Sequence, residues 1–349
     1  MRLRDLIFAA LAVALLVGYV AAAQRVGPLL APVAAARSTP PKPSGPVAAP
    51  MVRGTLAFVL RGDVYVLSGG SYQPRTSDGR AQQTALSPDG RTLYFARVEE
   101  IDGQREVDGQ IVPAHLGYSN IVRKAPGGTE EVLLSGLTRA PGSSRFHTVR
   151  WYLAPAASPD GARLAIIEAD ADGSSDLLVY DLATKKLTTP FLSNGADWSD
   201  PAWSPDGKTI VVTSYDTGEP RLLLKPTDGK PSIAVKGLPD GEPYRASYSA
   251  DGKWLIYTLR HDDGRKNDLH AFELATGRDV ALTTDGQTWN GIFSPDGTQI
   301  AFLRADHFTI DLWFAEVGTS LVTGVAPKDA VKVTHGEGID GAVRPSWGR

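Results

Sequence analysis

The chain of 349 residues contains no cysteine. Disulfide bonds and lipid attachment through an amino-terminal cysteine are therefore excluded, so stability must come from the burial of apolar surface. The chain also lacks a strong excess of positive or negative charge, because it has 36 Lys and Arg residues and 39 Asp and Glu residues, and its pI is about 6.1. Nucleic-acid binding usually requires a basic surface, and phosphate cofactors often use a Gly-rich loop ending in Gly-Lys-Ser/Thr. Neither is present, and we expect no nucleic acid and no cofactor.

What the chain does contain is a repeated tetrapeptide. Ser-Pro-Asp-Gly occupies residues 87–90, 158–161, 204–207 and 294–297, and Ser-Ala-Asp-Gly occupies residues 249–252. In chain order, the serines of successive copies are 71, 46, 45 and 45 residues apart. A period of about 40–45 residues with strand-like segments is typical of the blades of a β-propeller.

The tetrapeptide has the chemistry of a tight turn. Proline presets φ for the second turn position, aspartate accepts bonds from nearby backbone amides, and glycine tolerates a positive φ. Because one register repeats five times, we interpret the aspartates as structural turn residues and not as a ligand site. They are Asp89, Asp160, Asp206, Asp251 and Asp296.

Each turn is followed by three strand-like segments, so each repeat predicts one four-stranded antiparallel blade. The two chain ends supply a sixth blade: strands at 55–59 and 63–67 and a short segment at 72–76 lack only an inner strand. Residues 342–347 provide it, with Trp347 in the place of Trp203. The sequence therefore predicts an all-β fold, a six-bladed propeller closed by the carboxyl-terminal strand. The extra length after the first turn, at 99–117 and 139–145, is interpreted as surface loops.

An apolar stretch without charge covers residues 6–23, after Arg2 and Arg4. We interpret 1–23 as one hydrophobic helix that anchors the chain in the cell membrane, single-pass, with the propeller (53–349) outside the cytoplasm. The alternative is a signal peptide cleaved near Ala23, which would leave a secreted or periplasmic protein. Residues 24–52 read as a Pro/Ala-rich linker.

The segment 201–210, Pro-Ala-Trp-Ser-Pro-Asp-Gly-Lys-Thr-Ile, resembles the repeats of the TolB-like, WD40-like (PD40) β-propellers. This resemblance covers roughly residues 53–349 and implies a platform for protein interaction outside the cytoplasm. TolB itself carries a small α/β domain before its propeller, where this chain has the apolar segment and linker. The partner-binding residues of TolB are therefore not transferred.

Propellers of this class also precede α/β-hydrolase domains in peptidases of the prolyl-oligopeptidase type. Such enzymes need a Gly-x-Ser-x-Gly elbow, which this sequence lacks. We therefore expect a protein that is not an enzyme.

One acidic segment is spaced somewhat like a calcium loop. Asp170, Asp172 and Asp176 surround Gly173 in a loop that would begin at Glu168, but Val179 then occupies the twelfth position, where a carboxylate is required. We expect a solvated hairpin and no metal site, with calcium as the weaker alternative.

Recognition residues are predicted at the channel mouth opposite the turns, where the inner strands begin. Trp, Tyr and Arg are enriched at interface hot spots, but packing of these large side chains between the blades is the alternative that we favour. The candidates are Trp151, Tyr152, Trp198, Tyr244, Arg245, Trp289 and Asn290.

These features predict a membrane-anchored, extracytoplasmic, non-catalytic module that binds a protein or another cell-envelope component. The alternative is a propeller enzyme or a binder of small molecules or glycans, lyase-like or glycosidase-like, with its site at the channel mouth. The sequence does not specify the oligomeric state.

Overall fold

The computed structural model describes residues 52–107, 110–140, 147–170, 174–189, 191, 197–261, 264–323 and 330–349. The predicted anchor 1–23, almost all of the linker 24–52, and Asp172 lie outside these residues. Among the helices of the described residues, none is long and apolar enough to cross a membrane.

Antiparallel strands make up most of the described chain. The first half contains β1 (Thr55–Leu60), β2 (Asp63–Ser68), β3 (Ser71–Pro74), β4 (Ala81–Leu86), β5 (Leu93–Val107), β6 (Gln110–Lys124), β7 (Glu130–Leu134), β8 (Leu137–Arg139), β9 (His147–Val149), β10 (Trp151–Ala157), β11 (Arg163–Ala169), β12 (Ser175–Asp181) and β13 (Leu187–Thr188). The second half contains β14 (Trp198–Trp203), β15 (Thr209–Ser214), β16 (Arg221–Pro226), β17 (Ile233–Ala234), β18 (Glu242–Tyr248), β19 (Trp254–Arg260), β20 (Asn267–Glu273), β21 (Asp279–Ala281), β22 (Thr288–Phe293), β23 (Gln299–Asp306), β24 (Thr309–Glu316), the short helix α1 (Ser320–Thr323), β25 (Val331–Lys332) and β26 (Ser346–Gly348).

The strands pair in the up-and-down order of an all-β propeller. In the described residues, β14–β17, β18–β21 and β22–β25 each form a four-stranded sheet, and β26 pairs with β1 to give the order β26-β1-β2-β3. An eight-stranded sheet contains two further sets of four, β4–β7 and β10–β13, which are joined by one parallel pair between Trp151 and Ser119. Strands β8 and β9 form a separate two-stranded sheet.

Apolar side chains fill the spaces between these sheets. For example, Ile256 and Leu269 of one sheet pack with Ile300 and Phe302 of the next. Each such interface buries side chains that contribute about 1.5–3 kcal/mol apiece. In the described residues every set of four strands has such a cluster on both faces.

The repeated tetrapeptide forms the predicted turn in all five copies. In the third copy, the Ser204 hydroxyl donates to Asp206 (Oγ–Oδ1 2.6 Å) and accepts the Thr209 amide (3.0 Å), and Gly207 N donates to Ser204 O. The bond from Ser204, followed by the amide of Lys208, holds the pKa of the Asp206 carboxyl below its usual value. Gly207 has a φ of 68°, as the turn requires.

A second repeated contact was not predicted. The carboxylate of Asp311, which is fully buried, accepts bonds from Thr334 Oγ1 (2.9 Å) and from Gly336 N (2.6 Å). Two other sheets contain the same contact, in which an aspartate of the third strand accepts bonds from a threonine hydroxyl and a glycine amide that follow the fourth strand. The residues are Asp268, Thr283 and Gly286 in one sheet and Asp63, Thr76 and Gly79 in the other.

Two sequence interpretations need correction. The segment 99–117 was predicted as a surface loop, but it belongs to β5 and β6, which pair from Leu93 with Lys124 out to Val107 with Gln110. Continuous ladder bonding between the two segments explains why they remain extended. The predicted strand at 342–347 is also shorter, because β26 begins only at Ser346.

The carboxyl terminus is held by a close backbone approach. A Cβ atom at Gly348 would lie 2.4 Å from Gly90 Cα and 2.8 Å from Ser87 O. The neighbouring Arg349 N donates to Pro88 O (3.0 Å). Only glycine fits at position 348 without backbone movement.

We predict that Gly348→Ala destabilises the fold by about 1–3 kcal/mol, because overpacked backbone must shift. Gly103→Ala is the matched control, since a Cβ there meets no atom within 4 Å. Thermal unfolding followed by circular dichroism measures both variants. Equal midpoints for Gly348→Ala and the wild type would contradict the close packing of the terminal strand.

The burial of Lys225 makes the stability of the fold depend on pH, which can be tested. Lys225 is only 3% exposed, its Nζ lies 3.5 Å from the ring centroid of Trp198, and it donates to Ser232 Oγ (2.7 Å). Burial lowers the pKa of Lys225 to about 8, against the opposing effect of Asp216.

We predict that Lys225→Met is more stable than the wild type at pH 7, by about 1–3 kcal/mol. Between pH 8 and about 10.4 the unfolded chain keeps the lysine proton that the folded chain has lost, so wild-type stability rises with pH. The difference should therefore shrink across that window in denaturant titrations. Exposed Lys236→Met serves as control, and a difference that stays constant from pH 7 to 10.5 would refute the account.

Candidate functional site

A central cavity of about 540 Å³ lies among the inner strands β4, β10, β14, β18 and β22 and the carboxyl-terminal segment. Its opening is formed by the repeated turns, whose second residues all line it. These are Pro88, Pro159, Pro205, Ala250 and Pro295. The cavity therefore opens on the face of the turns, whereas the sequence placed the candidate recognition residues at the opposite mouth.

The residues that line the cavity include the aromatic residues that directly precede three of the motifs and one that matches their position at the carboxyl terminus. They are Trp203, Tyr248, Phe293 and Trp347. Two of the indoles are fixed by hydrogen bonds, from Trp203 Nε1 to Ala156 O (3.0 Å) and from Trp347 Nε1 to Arg53 O (2.8 Å). Burial raises the pKa of the Tyr248 hydroxyl, which keeps it neutral. All four residues also pack in or against the apolar clusters between neighbouring sheets, which holds them in place.

The inner end of the cavity is polar. The residues around it lie four places before each motif serine. Arg344 belongs with them, because it lies four places before Gly348, which occupies the matching position at the carboxyl terminus. We call this set the inner ring: Gln83, Ala154, Asp200, Arg245, Asn290 and Arg344. Gln83, Ala154, Asp200 and Arg344 line the cavity.

Four members of the inner ring have left-handed backbone. Ala154, Asp200, Arg245 and Asn290 have φ values of 47°, 51°, 54° and 58°. Each lies at a register shift in the pairing of its inner strand with the next strand. Bulges of this kind re-aim side chains and are common beside binding sites, and a positive φ in a residue other than glycine costs about 1–3 kcal/mol.

The bulges bring charged and polar side chains together. Arg245 Nη1 donates to Asn290 Oδ1 (2.8 Å), and Arg245 Nε lies 3.4 Å from Asp200 Oδ1. The backbone amide of Ala154 donates to Gln83 Oε1 (2.6 Å). Contacts between successive strands therefore hold the inner ring in place.

Arg344 reaches across the cavity. Its Nη1 donates to Ala246 O of β18 (2.7 Å) and its Nη2 to Pro201 O of β14 (2.9 Å). Burial lowers the pKa of Arg344, nearby Asp200 raises it, and Arg245 lowers it further. The guanidinium, whose ordinary pKa exceeds 12, stays charged at the inner end of the cavity.

The seven residues predicted at the opposite mouth are distributed over several contacts. The buried ones are Tyr152, Trp198, Tyr244 and Asn290, and the partly buried ones are Trp151, Arg245 and Trp289.

Most of these side chains bond within the fold. Trp289 Nε1 donates to Gly341 O (2.8 Å), and Tyr244 OH donates to Asn267 Oδ1 (2.9 Å). Arg245 and Asn290 are brought together in the inner ring, whereas Trp198 packs on Lys225. A recognition surface at that mouth stays a prediction.

The acidic segment gives no metal centre in the part of the chain that is described, where no cluster of three or more His, Asp or Glu could hold an ion. Asp170 and Asp176 flank residues 171–173, which include Asp172 and lie outside the description. Asp176 pairs across the hairpin with Glu168.

Arg344 was missed by sequence reasoning, and so was the role of the inner ring. A usable signal existed, because the alignment of Trp347 with Trp203 places Arg344 opposite Asp200 in the repeat. What the sequence does not reveal is the bulge that turns these positions inward.

Known structures of similar fold include TolB from Acinetobacter baumannii, with a TM-score of 0.62 and 19% identity over 84% of this chain and 66% of that chain. A nidogen/laminin complex has a TM-score of 0.57 and 12% identity over 84% of this chain and 98% of that chain. At these identities the likeness concerns the fold.

Among curated proteins, dipeptidyl-peptidase 5 of Aspergillus fumigatus is 36% identical over 187 residues, which are 52% of this chain and 24% of the relative. The chain thus spans about a quarter of the length of this relative. The prediction that the chain is not an enzyme is wrong, because the curated relatives that it matches are peptidases by name. The missing Gly-x-Ser-x-Gly elbow was too narrow a ground for it.

The family model described as the TolB beta propeller domain (PD40) matches residues 136–340, more than half of the chain. This match agrees with the repeated turn, the four-stranded sheets and the resemblance of residues 201–210. The chain belongs to the TolB β-propeller family.

Proposed function

We propose that this propeller binds polypeptide segments, and that the central cavity on the face of the turns is the site that receives them. The observation that carries the proposal is the cavity itself: about 540 Å³, with aromatic walls, an opening of proline and alanine, and a polar inner end. Ligand sites typically have volumes of 300–1,000 Å³, mostly apolar walls and a few fixed polar groups.

The names of the relatives support a peptide as the ligand. Dipeptidyl-peptidase 5 is named for action on peptides, and one structural neighbour is a complex between two proteins. We propose that this propeller contributes peptide recognition to peptidase chemistry, by holding an extended segment with apolar side chains against the aromatic wall.

We further propose six blades in a closed ring. The cyclic series of core clusters and the pairing of β26 with β1 support this count. A closed ring leaves the inner strands facing one shared channel, which is the geometry that the cavity needs.

Anchoring in a membrane, with the propeller outside the cytoplasm, is also a proposal. It is supported by the uncharged stretch 6–23 and by Arg2 and Arg4 before it.

We predict that Ala250→Trp weakens peptide binding at least tenfold, because Ala250 is exposed at the opening and an indole there narrows it. The measurement is equilibrium dialysis of the full chain against tryptic peptides of casein, with bound peptides quantified by mass spectrometry. Ala275→Trp, at an exposed turn outside the cavity wall, should bind as the wild type does.

Enrichment of the same peptides by the wild type and by Ala250→Trp would place binding elsewhere. The absence of any enriched peptide would contradict the proposed function.

For the anchor, we predict that the full chain expressed in bacteria sediments with membranes after carbonate washing and is digested by protease added outside the inner membrane. A chain lacking residues 1–23 should stay in the soluble cytoplasmic fraction. A soluble mature protein that begins near Gln24 would show a cleaved signal and refute the anchor.

A further inference from the structure

We infer that the inner end of the cavity is a carboxylate-binding site, in which Arg344 binds one carboxylate of the bound peptide. This inference rests on the proposed function for the source of the carboxylate, either a chain terminus or an acidic side chain. The site itself stands on the geometry around Arg344.

Arg344 has donors to spare. A guanidinium carries five N–H groups, and the hydrogen bonds of the described residues use two, to the carbonyls of Pro201 and Ala246. Both acceptors are neutral, so these bonds fix the guanidinium in position without neutralising it. The remaining donors belong to a cation already held in the cavity wall.

Arg344 also lacks a direct counter-ion. Asp200 is the acidic member of the inner ring, and it lies 3.4 Å from Arg245 and accepts the Ser199 hydroxyl (2.8 Å). Among the described residues no carboxylate lies within ion-pair distance of Arg344. The inner ring thus holds two arginines and one aspartate, an excess of one positive charge beside a cavity that is open to solvent.

One hydroxyl beside the Arg344 contact adds to this site. Ser247 lines the cavity, and its buried side-chain oxygen has no hydrogen-bond partner in the described structure. An unpaired buried hydroxyl costs free energy, and a bound oxyanion would give it an acceptor. Ser247 directly follows Ala246, whose carbonyl accepts a hydrogen bond from the Arg344 guanidinium.

The charge balance favours a monoanion. A carboxylate would neutralise the excess of one positive charge, whereas a dianion would leave one negative charge in excess beside the carbonyl oxygens of Pro201 and Ala246. Charge-assisted hydrogen bonds from a guanidinium to a carboxylate are strong, and aromatic residues line the same cavity. The site therefore fits a carboxylate that is attached to an apolar group.

The test uses the full chain and a small probe, 3-phenylpropionate, compared with the neutral 3-phenylpropionamide by isothermal titration calorimetry. We expect the acid to bind at least tenfold more tightly than the amide. Ser247→Ala should reduce this preference severalfold without changing the affinity for the amide, while Ser214→Ala, a buried serine outside the cavity wall, should leave it unchanged.

Arg344→Gln should abolish the preference, provided that its thermal unfolding shows a folded protein; Ser247→Ala keeps the inference testable if it does not fold. Equal affinity for acid and amide in the wild type would overturn the carboxylate site. So would a preference that survives Ser247→Ala undiminished.

Peptides then separate the two proposals. Acetyl-Ala-Pro-Ala-Leu should bind more tightly as the free acid than as the C-terminal amide if the site reads chain termini, and the amide of acetyl-Ala-Glu-Ala-Leu should bind more tightly than that of acetyl-Ala-Gln-Ala-Leu if it reads side chains. Binding of 3-phenylpropionate without binding of any peptide would support the carboxylate site and contradict the proposed function. Peptide binding without preference for a carboxylate would support the proposed function and contradict the carboxylate site.

Discussion

The pairing of β26 with β1 is the contact on which the rest of the structure depends. It joins the two ends of the described chain, from Thr55 with Gly348 to Ala57 with Ser346. The same carboxyl-terminal segment supplies Arg344 to the cavity, and its indole at Trp347 reaches back to Arg53. The carboxyl-terminal segment therefore both completes a four-stranded sheet and lines the cavity.

The repeated turn and the inner ring have complementary roles. The turn fixes the end of each inner strand through its Ser–Asp bond and gives the cavity its opening. Four residues earlier, the strand departs from ladder pairing and presents Ala154, Asp200, Arg245 or Asn290 in left-handed backbone. Strained backbone next to a cavity is a feature of binding sites, and here it recurs in four successive inner strands.

The sequence predicts the regular part of the molecule well, because Ser-Pro-Asp-Gly encodes a turn locally and the strands follow at fixed spacing. It fails where structure depends on partners distant in sequence. Residues 99–117 look like a loop since their polar and glycine residues hide a ladder with the opposite strand. Arg344 looks like an ordinary surface arginine, and its placement depends on carbonyls of Pro201 and Ala246, more than 90 residues away. The prediction that the chain is not an enzyme rested on the missing Gly-x-Ser-x-Gly motif, and the relatives that are named as peptidases correct it.

The central claim is that a polypeptide segment occupies the cavity on the face of the turns. A crystal structure of the full chain grown with a peptide that it enriches from a digest tests this claim most directly. We expect peptide density between the proline-lined opening and the inner ring, with a carboxylate within hydrogen-bond distance of Arg344. Peptide bound at the opposite mouth or along the β5–β6 hairpin, with the cavity free of peptide, would contradict the account.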